Sequence, residues 1–558
     1  MQEQIVETKQ CKSCGVTFHI TDEDMEFYDK VSPIFGGKKY NIPTPKFCPD
    51  CRQQKRMAFK NIYHLYRDEK KWLVSPFSPD KDLNVILQKD WRENQDLWLS
   101  FWMVFDYSLS FSKQFKKLQK MAPRWNMIQV NSENCERSMN MSWSKNCYLI
   151  RSGVNAENCY YWERIIDSKY ILDGYRIHES ENCYESSYLN NCYQVFFSKK
   201  SKLSSNSFYI SDCESVSNCI ACVWLRNQNY HILNKPVSKE YFESYKRELI
   251  FFKDFRAKTI DDFTKLYYSI PKKYAEIDMS ENVIGDEIIN SKNVKNCFAV
   301  KNVDDVKNVF DGANTKTAMD LHAPDEQELS YECCSNFKLY NCGFCFNSVF
   351  LNNCFYCETC ANLDNCFACV WLNQKQYCIF NKQYTKDDYE KELSRIVSKM
   401  QETWEWDVFF DPILSPFWYN ESSAMEDYVL KKEEALAKWF NRSDYESPFP
   451  QVDTILKANE LPNIQDVTDY ILQQAIECEI TKKPFRIIKP ELEFYRKHNL
   501  PIPTKHPDQR HKERMALRNP RKLRDRNCMK CWIDIKTSYS PERKEIVYCE
   551  TCYNKEVY

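Results

Sequence analysis

Cysteines that recur every twelve residues constrain the fold of this chain more than any other feature of its sequence. Three runs follow this spacing, and they comprise Cys333, Cys345, Cys357 and Cys369; Cys342, Cys354, Cys366 and Cys378; and Cys135, Cys147, Cys159 and, after one skipped turn, Cys183. Around them, turn-prone Asn, Ser and Asp alternate with short Cys, Tyr, Phe and Val stretches, as in SKNCY at residues 144–148. The period is not a multiple of the coiled-coil heptad and is shorter than the common helical repeats. It predicts a parallel β-solenoid with 12-residue Cys/Asn ladders, whose strands stack at about 4.8 Å and whose coil has either 12 or 24 residues.

The array of ladders is present twice. The motif NCIACVWL at residues 218–225 recurs as NCFACVWL at residues 365–372, an offset of 147 residues. After each copy, Ser238 and Thr385 have the character of helix N-caps. Because solenoids need terminal caps, we expect each array to end in a helix that covers its open end.

Eight cysteines form four CxxC pairs near the two ends of the chain. They are Cys11, Cys14, Cys48 and Cys51 at one end, and Cys528, Cys531, Cys549 and Cys552 at the other. Each CxxC turn can place two thiolates on one metal, and two turns complete a closed tetrahedral site. The sequence therefore predicts two structural zinc ions, although iron bound as in rubredoxin would use the same ligands.

The two ends of the chain are copies of each other. CPDCRQQKRMAFKN at residues 48–61 matches HPDQRHKERMALRN at residues 506–519 at seven of fourteen positions. The C-terminal copy has Cys478, Thr481, His506 and Gln509 at the four ligand positions of its first module. In the N-terminal copy, the second module has Lys70, Leu73, Leu87 and Asp90 instead of cysteines. Each copy would keep a different one of two ancestral zinc modules, which gives two zinc ions rather than four.

The fold class predicted from these features is mainly β with α, a duplicated solenoid flanked by zinc-ribbon-like modules and capping helices. The predicted segments are an N-terminal zinc module (1–61), a degenerate second zinc module with a Trp-rich helical region (62–124), array 1 (125–235), a capping helix and linker (236–279), array 2 (280–383), a helical connector (384–477), a degenerate zinc module with a basic helix (478–526) and a C-terminal zinc ribbon (527–558).

Composition favours reduced thiols in the cytoplasm. The chain has 28 cysteines, a mean hydropathy of −0.65, no apolar signal core and no apolar run of the roughly 18–20 residues that span a bilayer. We expect a soluble protein whose ladder cysteines are buried, unpaired thiols. Disulfides, or extra metal at Cys354, Cys357 and Cys360, remain alternatives.

The motifs quoted above, together with YSPERKEIVYCETCYNKEVY at residues 539–558, carry a family resemblance. The chain resembles cysteine-rich zinc-ribbon and β-solenoid repeat proteins of candidate-phyla-radiation bacteria over nearly its whole length. The resemblance implies a bacterial cytosolic setting and nothing about chemistry.

No catalytic motif is recognisable, so we expect a protein without enzymatic activity. HExxH, GxSxG, Walker A and GxGxxG patterns are missing from the sequence. A carbohydrate-active enzyme is an alternative, because a solenoid can host paired carboxylates for sugar chemistry. The candidate carboxylates are Asp304, Asp305, Asp311 and Asp320. Their spacing does not distinguish them from ordinary turn residues.

A cluster of cations favours binding of RNA, or of a ribonucleoprotein such as the ribosome. Residues 505–526 contain nine cationic and three anionic side chains, in a chain with a net charge of −1. Cations on helices that leave a zinc module could neutralise phosphates. The candidate residues are Arg52, Lys55, Arg56, Lys60, Arg510, Lys512, Arg514, Arg518, Arg521, Lys522 and Arg524.

A protein-binding scaffold is the other hypothesis. Its docking surface would be the solenoid face or a tryptophan-rich region that contains Trp91, Trp98, Trp102 and Trp125.

Overall fold

The computed structural model describes residues 3–61, 64–68, 73–94, 99–445, 452 and 454–557. Within these residues the chain is mainly β with α-helices, and two long sheets of parallel strands form its centre. Smaller two- and three-stranded sheets and the helices surround them. The predicted fold class is confirmed at this level. Lys70 and Trp98, named in the predictions above, lie outside the described residues.

The described residues of the N-terminal region form short strands and four α-helices. They are β1 (Ile5–Gln10), β2 (Thr17–Thr21), α1 (Asp22–Val31), β3 (Ile34–Phe35), β4 (Lys38–Lys39), α2 (Pro49–Met57), β5 (Tyr66–Asp68), β6 (Leu73–Ser75), β7 (Val85–Ile86), α3 (Gln88–Glu93), α4 (Phe111–Met121) and β8 (Arg124–Trp125).

Array 1 is a 14-stranded sheet, parallel except where β22 folds back on β21. Its strands are β9 (Gln129–Val130), β10 (Glu133–Glu136), β11 (Met141–Ser142), β12 (Lys145–Ile150), β13 (Gly153–Val154), β14 (Tyr160–Ile166), β15 (Lys169–His178), β16 (Glu181–Asn190), β17 (Tyr193–Phe196), β18 (Lys199–Lys202), β19 (Ser205–Phe208), β20 (Ser217–Ile220), β21 (Asn229–Ile232) and β22 (Lys235–Pro236).

Array 2 follows two helices and a short strand, and it is an 11-stranded sheet with the same plan. In chain order the elements are α5 (Lys239–Phe251), α6 (Lys253–Ser269), β23 (Lys272–Lys273), β24 (Ile277–Asp278), β25 (Glu281–Ile289), β26 (Lys292–Lys301), β27 (Asp304–Phe310), β28 (Lys316–His322), β29 (Asp325–Cys334), β30 (Phe337–Gly343), β31 (Val349–Asn352), β32 (Ala361–Phe367), β33 (Asn373–Ile379) and β34 (Lys382–Gln383).

The C-terminal region is again a mixture of helices and short strands. It contains α7 (Lys386–Glu402), α8 (Ala424–Asp427), α9 (Lys432–Ala437), β35 (Ile455–Lys457), β36 (Ala475–Glu477), β37 (Pro484–Phe485), α10 (Lys489–His498), α11 (Pro507–Ala516), β38 (Arg524–Asn527), β39 (Asp534–Thr537), β40 (Val547–Tyr548) and α12 (Glu550–Val557).

The strand register repeats every twelve residues. Cys135 is paired with Cys147 in array 1, and Cys366 with Cys378 in array 2. The first turn of array 2 is one residue shorter, since Ile277 pairs with Ile288, and the register shifts at Gly285. Successive strands therefore pair at a spacing of 12 residues rather than 24, the two lengths considered from the sequence.

A period of three residues underlies the period of twelve. In both arrays nearly every third residue has a left-handed backbone, for example Asn155, Asn158 and Tyr161 with φ of 49°, 53° and 64°. Four such residues therefore fall within each twelve-residue repeat. Asn and Asp tolerate this conformation best among non-glycine residues, which explains their abundance in the sequence.

Small polar side chains line the interior and satisfy the backbone. Ser138 Oγ donates to the carbonyl of Glu136 (3.0 Å) and accepts from the N–H of Ile150 (3.1 Å). Cys297 repeats the arrangement, because its Sγ donates to the carbonyl of Lys295 (3.3 Å) and accepts from the N–H of Val309 (3.2 Å). Buried backbone groups need such partners. The ladder cysteines are buried free thiols whose Sγ atoms donate to backbone carbonyls, as Cys345 does to Gly343 (3.4 Å).

Helices cap the arrays at the predicted positions. Ser238 and Thr385 are the N-caps of α5 and α7, and each side chain accepts a hydrogen bond from the first turn of its helix. The basic segment at residues 505–526 contains the predicted basic helix but is not helical throughout. Only Pro507–Ala516 is helical, and Arg524–Asn527 is a strand.

The N-terminal region packs on array 2, and the C-terminal region packs on array 1. One hydrophobic core joins residues 11–122 to residues 319–440 of array 2 and its connector, and a second joins array 1 to residues 464–502. Helix α2 packs on β28 and β29, whereas α11 packs on β15 and β16, the strands at the equivalent positions of array 1. The two segments that match in sequence around α2 and α11 thus lie on opposite arrays.

Candidate metal centres and their contacts with the arrays

The N-terminal four-cysteine group is built by a hairpin turn and a helix start. Cys11 and Cys14 follow β1, in a turn closed by the N–H of Gly15 donating to the carbonyl of Cys11 (2.9 Å). Gly15 has a φ of 73°, which glycine adopts without strain. Cys48 is the N-cap of α2, and Cys51 lies in its first turn.

The four Sγ atoms fit a tetrahedral metal. All lie within 4.8 Å of one another, and Cys14 Sγ is 3.7 Å from Cys48 Sγ. A metal–sulfur distance of about 2.3 Å requires an edge of about 3.8 Å between sulfurs. The N–H of Ser13 donates to Cys11 Sγ (3.4 Å), the kind of hydrogen bond that stabilises a thiolate ligand.

The C-terminal group repeats this geometry. Its four Sγ atoms also lie within 4.8 Å of one another, and Cys531 Sγ is 3.7 Å from Cys549 Sγ. The N–H of Cys549 donates to Cys528 Sγ (3.2 Å). Within the described part of the chain, these two groups are the ones in which three or more ligand atoms come this close. They could hold two metal ions, as predicted.

Charge among the thiols is unevenly shared. Burial raises the pKa of Cys11 and of Cys528, but backbone N–H groups outweigh it and bring each pKa to about 6. The Cys51 thiol, together with burial, raises the pKa of Cys48 well above its ordinary range. Four thiolates need a cation to coexist at this spacing, and binding of a metal would release the remaining protons.

Elements next to the two groups contact array 2 or the strand just before it. Helix α2 begins at Cys48 and packs on β28 and β29. At the other end of the chain, β40 leads directly into Cys549 and pairs in parallel with β23, just before array 2. The Nζ of Lys273 in β23 lies 2.7 Å from the carboxylate of Glu550 in α12.

At the positions predicted to be degenerate zinc ligands, the described residues make ordinary structural contacts. His506 takes the N-cap position of α11 that corresponds to Cys48 in α2, and its Nδ1 accepts from the N–H of Asp508 (3.1 Å). Cys478 Sγ accepts from the N–H of Thr481 (3.4 Å). Leu73 is buried in the core.

Two arginines dock α2 onto array 2. Arg52 Nη2 lies 2.8 Å from a carboxylate oxygen of Asp320, and Arg56 Nη1 lies 2.6 Å from one of Glu332. Both guanidinium groups and both carboxylates are buried. We call these four residues the array-2 dock.

The same contact recurs between α11 and array 1. Arg510 is paired with Asp173, and Arg514 Nη1 lies 2.7 Å from a carboxylate oxygen of Glu185. Asp173 and Glu185 precede Asp320 and Glu332 by the same offset that separates the two arrays, so equivalent residues make equivalent contacts. These four residues form the array-1 dock. The sequence prediction missed these carboxylates, although the repeat offset and the paired arginines could have matched them.

Most of the residues predicted to bind nucleic acid are therefore buried or half-buried within the protein. Beyond the docks, Arg518 pairs with Glu426 (3.2 Å) and Asp427 (2.8 Å), and Arg521 pairs with Asp311 (2.5 Å). Lys55 donates to the carbonyl of Phe409 (2.6 Å), and burial lowers its pKa to about 8.

The other predicted cations reach the surface to different extents. Lys60 and Arg524 are half-buried. Lys512 and Lys522 are exposed, and Lys522 lies 3.8 Å from Asp50.

The carboxylates considered for sugar chemistry also have structural partners. Asp311 lies between Arg164 (2.9 Å), Arg176 and Arg521. Burial raises the pKa of Asp311, but these guanidinium groups outweigh it and hold the pKa well below its usual value. Arg164 and Asp311 are themselves separated by the offset between the arrays, so this ion pair joins equivalent positions of array 1 and array 2.

The remaining candidates lie on the array. Asp320 belongs to the array-2 dock, and Asp305 accepts from the amide of Asn293 (2.8 Å). Asp304 is half-buried in β27 and its N–H donates to the carbonyl of Thr315 (3.0 Å).

The tryptophan-rich region belongs largely to the interior. Trp91 is buried and its ring packs edge-on against Trp125 (4.3 Å), which in turn contacts Trp371 (4.7 Å). Trp102 is half exposed. Among the described tryptophans of this region, Trp102 is therefore the one that reaches the surface.

No helix in the described part of the chain is both long enough and apolar enough to cross a bilayer. In comparisons with known proteins, no protein-family model and no curated protein matched the chain.

Proposed function

We propose that this protein is a non-catalytic binding scaffold in which two structural zinc ions brace a duplicated β-solenoid. One observation carries the proposal: both intact four-cysteine groups are part of elements that contact array 2. A metal with four protein thiolates has no open position for substrate, so its role is to fix those elements.

The solenoid part of the proposal rests on the turn geometry. Successive strands pair in parallel after twelve residues, and left-handed corners recur every third residue. A four-sided coil of this length accounts for both regularities. Its stacked turns would present long, regular faces, which suit binding of an extended ligand.

Zinc is favoured over iron because the sites are structural. Four thiolates in tetrahedral geometry suit either metal. The ladder cysteines act as reduced thiol donors, as in Cys297, which fits a reducing compartment such as the bacterial cytosol.

RNA binding is not part of this proposal. Most of the cations predicted to bind RNA instead contact other residues of the chain. Of that predicted set, Lys512 and Lys522 are exposed, and two charges form only a small positive surface. Phosphate binding would need several such charges acting together.

Metal analysis of protein purified under reducing conditions tests the proposal. We expect about two zinc ions per chain, each protected against weak chelators. A strong chelator should remove both and expose array 2 to proteolysis. Iron, with its visible charge-transfer absorption, or a chain that is equally stable without metal would contradict the proposal.

A further inference from the structure

A cleft of about 610 Å³ opens between array 1 and helix α10. One wall consists of outward-facing columns of array 1, and the other is the exposed side of α10 and the residue before it. This cleft is separate from the metal centres and from the docks.

An aromatic column forms part of the array wall. Glu136, Tyr148 and Tyr160 occupy equivalent positions on successive turns. From Tyr160 onward the column is buried, because Tyr160, Leu172 and Tyr184 all belong to the second hydrophobic core. Tyr148 is only half-buried, so the column emerges from the core into the cleft.

A column of amides runs beside it. Asn134 donates to Asn146 (3.2 Å) and Asn146 donates to Asn158 (3.4 Å), each from a left-handed corner. A ladder contact uses one donor and one acceptor, and a side-chain amide has two of each. Amide groups spaced at about 4.8 Å along the array can therefore hydrogen-bond a ligand in the cleft.

The opposite wall is mixed. Ile488, Pro490 and Phe494 give it apolar surface, and Glu493 and Lys497 give it one negative and one positive charge. Together with Glu136, the lining has two carboxylates and one ammonium group.

The equivalent gap on array 2 is closed by ion pairs. Lys295 and Lys307 stand at the positions of array 2 that correspond to Tyr148 and Tyr160. Lys295 Nζ lies 2.6 Å from Glu23 of α1, and Lys307 Nζ lies 2.7 Å from Asp24.

Helix α1 is the counterpart of α10, and Glu23 corresponds to Pro490. The two halves share the same framework but differ here. At the positions of Lys295, Lys307 and Glu23, the other half has two tyrosines and a proline. These ion pairs therefore do not bridge the gap between array 1 and α10.

We propose that the cleft binds a neutral oligosaccharide, which would be the ligand of the scaffold function proposed above. Tyrosine rings can stack on the C–H faces of sugar rings, while amides and carboxylates hydrogen-bond hydroxyl groups. Apolar surface with a few placed polar groups is typical of small-ligand sites. The excess of carboxylates disfavours a phosphate backbone, which requires cations.

Binding is tested with the full-length, zinc-loaded protein by calorimetry. The probes are cellohexaose, chitohexaose, maltohexaose and the RNA oligomers A6 and U6. We expect at least one hexasaccharide to bind and neither RNA to bind. The doubly substituted Tyr148→Lys/Pro490→Glu variant rebuilds the ion pair of array 2, and it should weaken sugar binding at least tenfold.

A matched pair of variants separates the cleft from the fold. Asn146→Gly removes an amide from the cleft and keeps the left-handed corner, which glycine tolerates. Asn293→Gly makes the same change at the equivalent position of array 2. The first should weaken sugar binding and the second should not.

Three results would overturn the inference: no sugar binding in the millimolar range, RNA binding in the cleft, or sugar binding that the Tyr148→Lys/Pro490→Glu variant leaves unchanged. Zinc content is measured on every sample. Two zinc ions with no sugar binding would reject the ligand and leave the zinc-braced scaffold standing, whereas loss of the two-zinc stoichiometry would reject the scaffold itself.

Discussion

At the scale of single residues, the interior cysteines act as hydrogen-bonding groups as well as apolar ones. Cys297 accepts the N–H of Val309 and donates to the carbonyl of Lys295, whereas Ser138 makes the same pair of contacts with a hydroxyl. Serine and cysteine can thus make the same two backbone contacts at these positions, whereas an alanine side chain can make neither.

Replacing Cys297 tests this role. Cys297→Ala leaves the buried N–H of Val309 without its partner, which costs about 1–3 kcal/mol, whereas Cys297→Ser keeps an acceptor. We expect the melting temperature to fall clearly more for alanine than for serine, by differential scanning fluorimetry under reducing conditions. Equal losses for the two variants would show that only the volume of the side chain matters.

The ion pairs of Asp311 lead us to expect that the folded protein loses stability in acid. Its pKa is depressed in the folded protein by three guanidinium groups that outweigh burial. Such a group stabilises the fold above its unfolded pKa of about 3.9, and the contribution disappears as the pH falls through the lower folded pKa.

We therefore expect the melting temperature of the wild type to fall steeply below about pH 4. Asp311→Asn should be less stable at neutral pH, because it leaves buried arginines uncompensated, by about 3–5 kcal/mol. Its melting temperature should depend less on pH in the acid range. Parallel acid profiles for the two proteins would exclude Asp311 as the titrating group.

At the scale of elements, the sequence reveals whatever recurs. The spacing of Cys366 and Cys378 predicts their pairing, and Ser238 and Thr385 mark the starts of the capping helices. The four-cysteine groups follow from CxxC spacing alone.

What the sequence hides is which face of an element is buried. The cations of α2 and α11 have the pattern of an exposed basic face, but Arg52 and Arg510 are buried against carboxylates that lie far away in the chain. Contacts so distant in sequence leave no local signal. The three-residue period is also difficult to see, because its left-handed corners accept Tyr161 and Arg164 as well as Asn.

Matched cysteines distinguish the intact module from the degenerate one. Cys11→Ser should lose one zinc ion and loosen α2, because Cys48 and Cys51 lose their metal. Hydrogen exchange should then quicken in α2 and in β28 and β29, on which it packs. Cys478→Ser changes the equivalent residue, which accepts a hydrogen bond from Thr481, and should leave the zinc content unchanged. A loss of metal from the second variant would mean that the C-terminal module still binds zinc.

At the scale of the whole molecule, each end of the chain packs on the array that is farther from it in sequence. The N-terminal modules share a core with array 2, and the segment after the connector shares a core with array 1. Each dock therefore ties one end of the chain to the array that is farther from it in sequence. Arg164 and Asp311, which occupy equivalent positions of the two arrays, also pair with each other, so the arrays contact one another directly.

This crossing predicts that the two parts of the chain hold together without the covalent link between the arrays. A protease site inserted at exposed Phe252, between α5 and α6, allows the purified protein to be cut there. Both docks and both apolar cores persist after the cut, since each joins residues from opposite sides of it. The cut protein should therefore elute from a gel-filtration column as one particle with both zinc ions. Acid should weaken the association of the fragments as the pH falls through the depressed folded pKa of Asp311, because the protonated carboxyl group no longer pairs with Arg164 across the cut. Separation at neutral pH, immediately after cutting, would show that the linker rather than the crossed docking holds the arrays together.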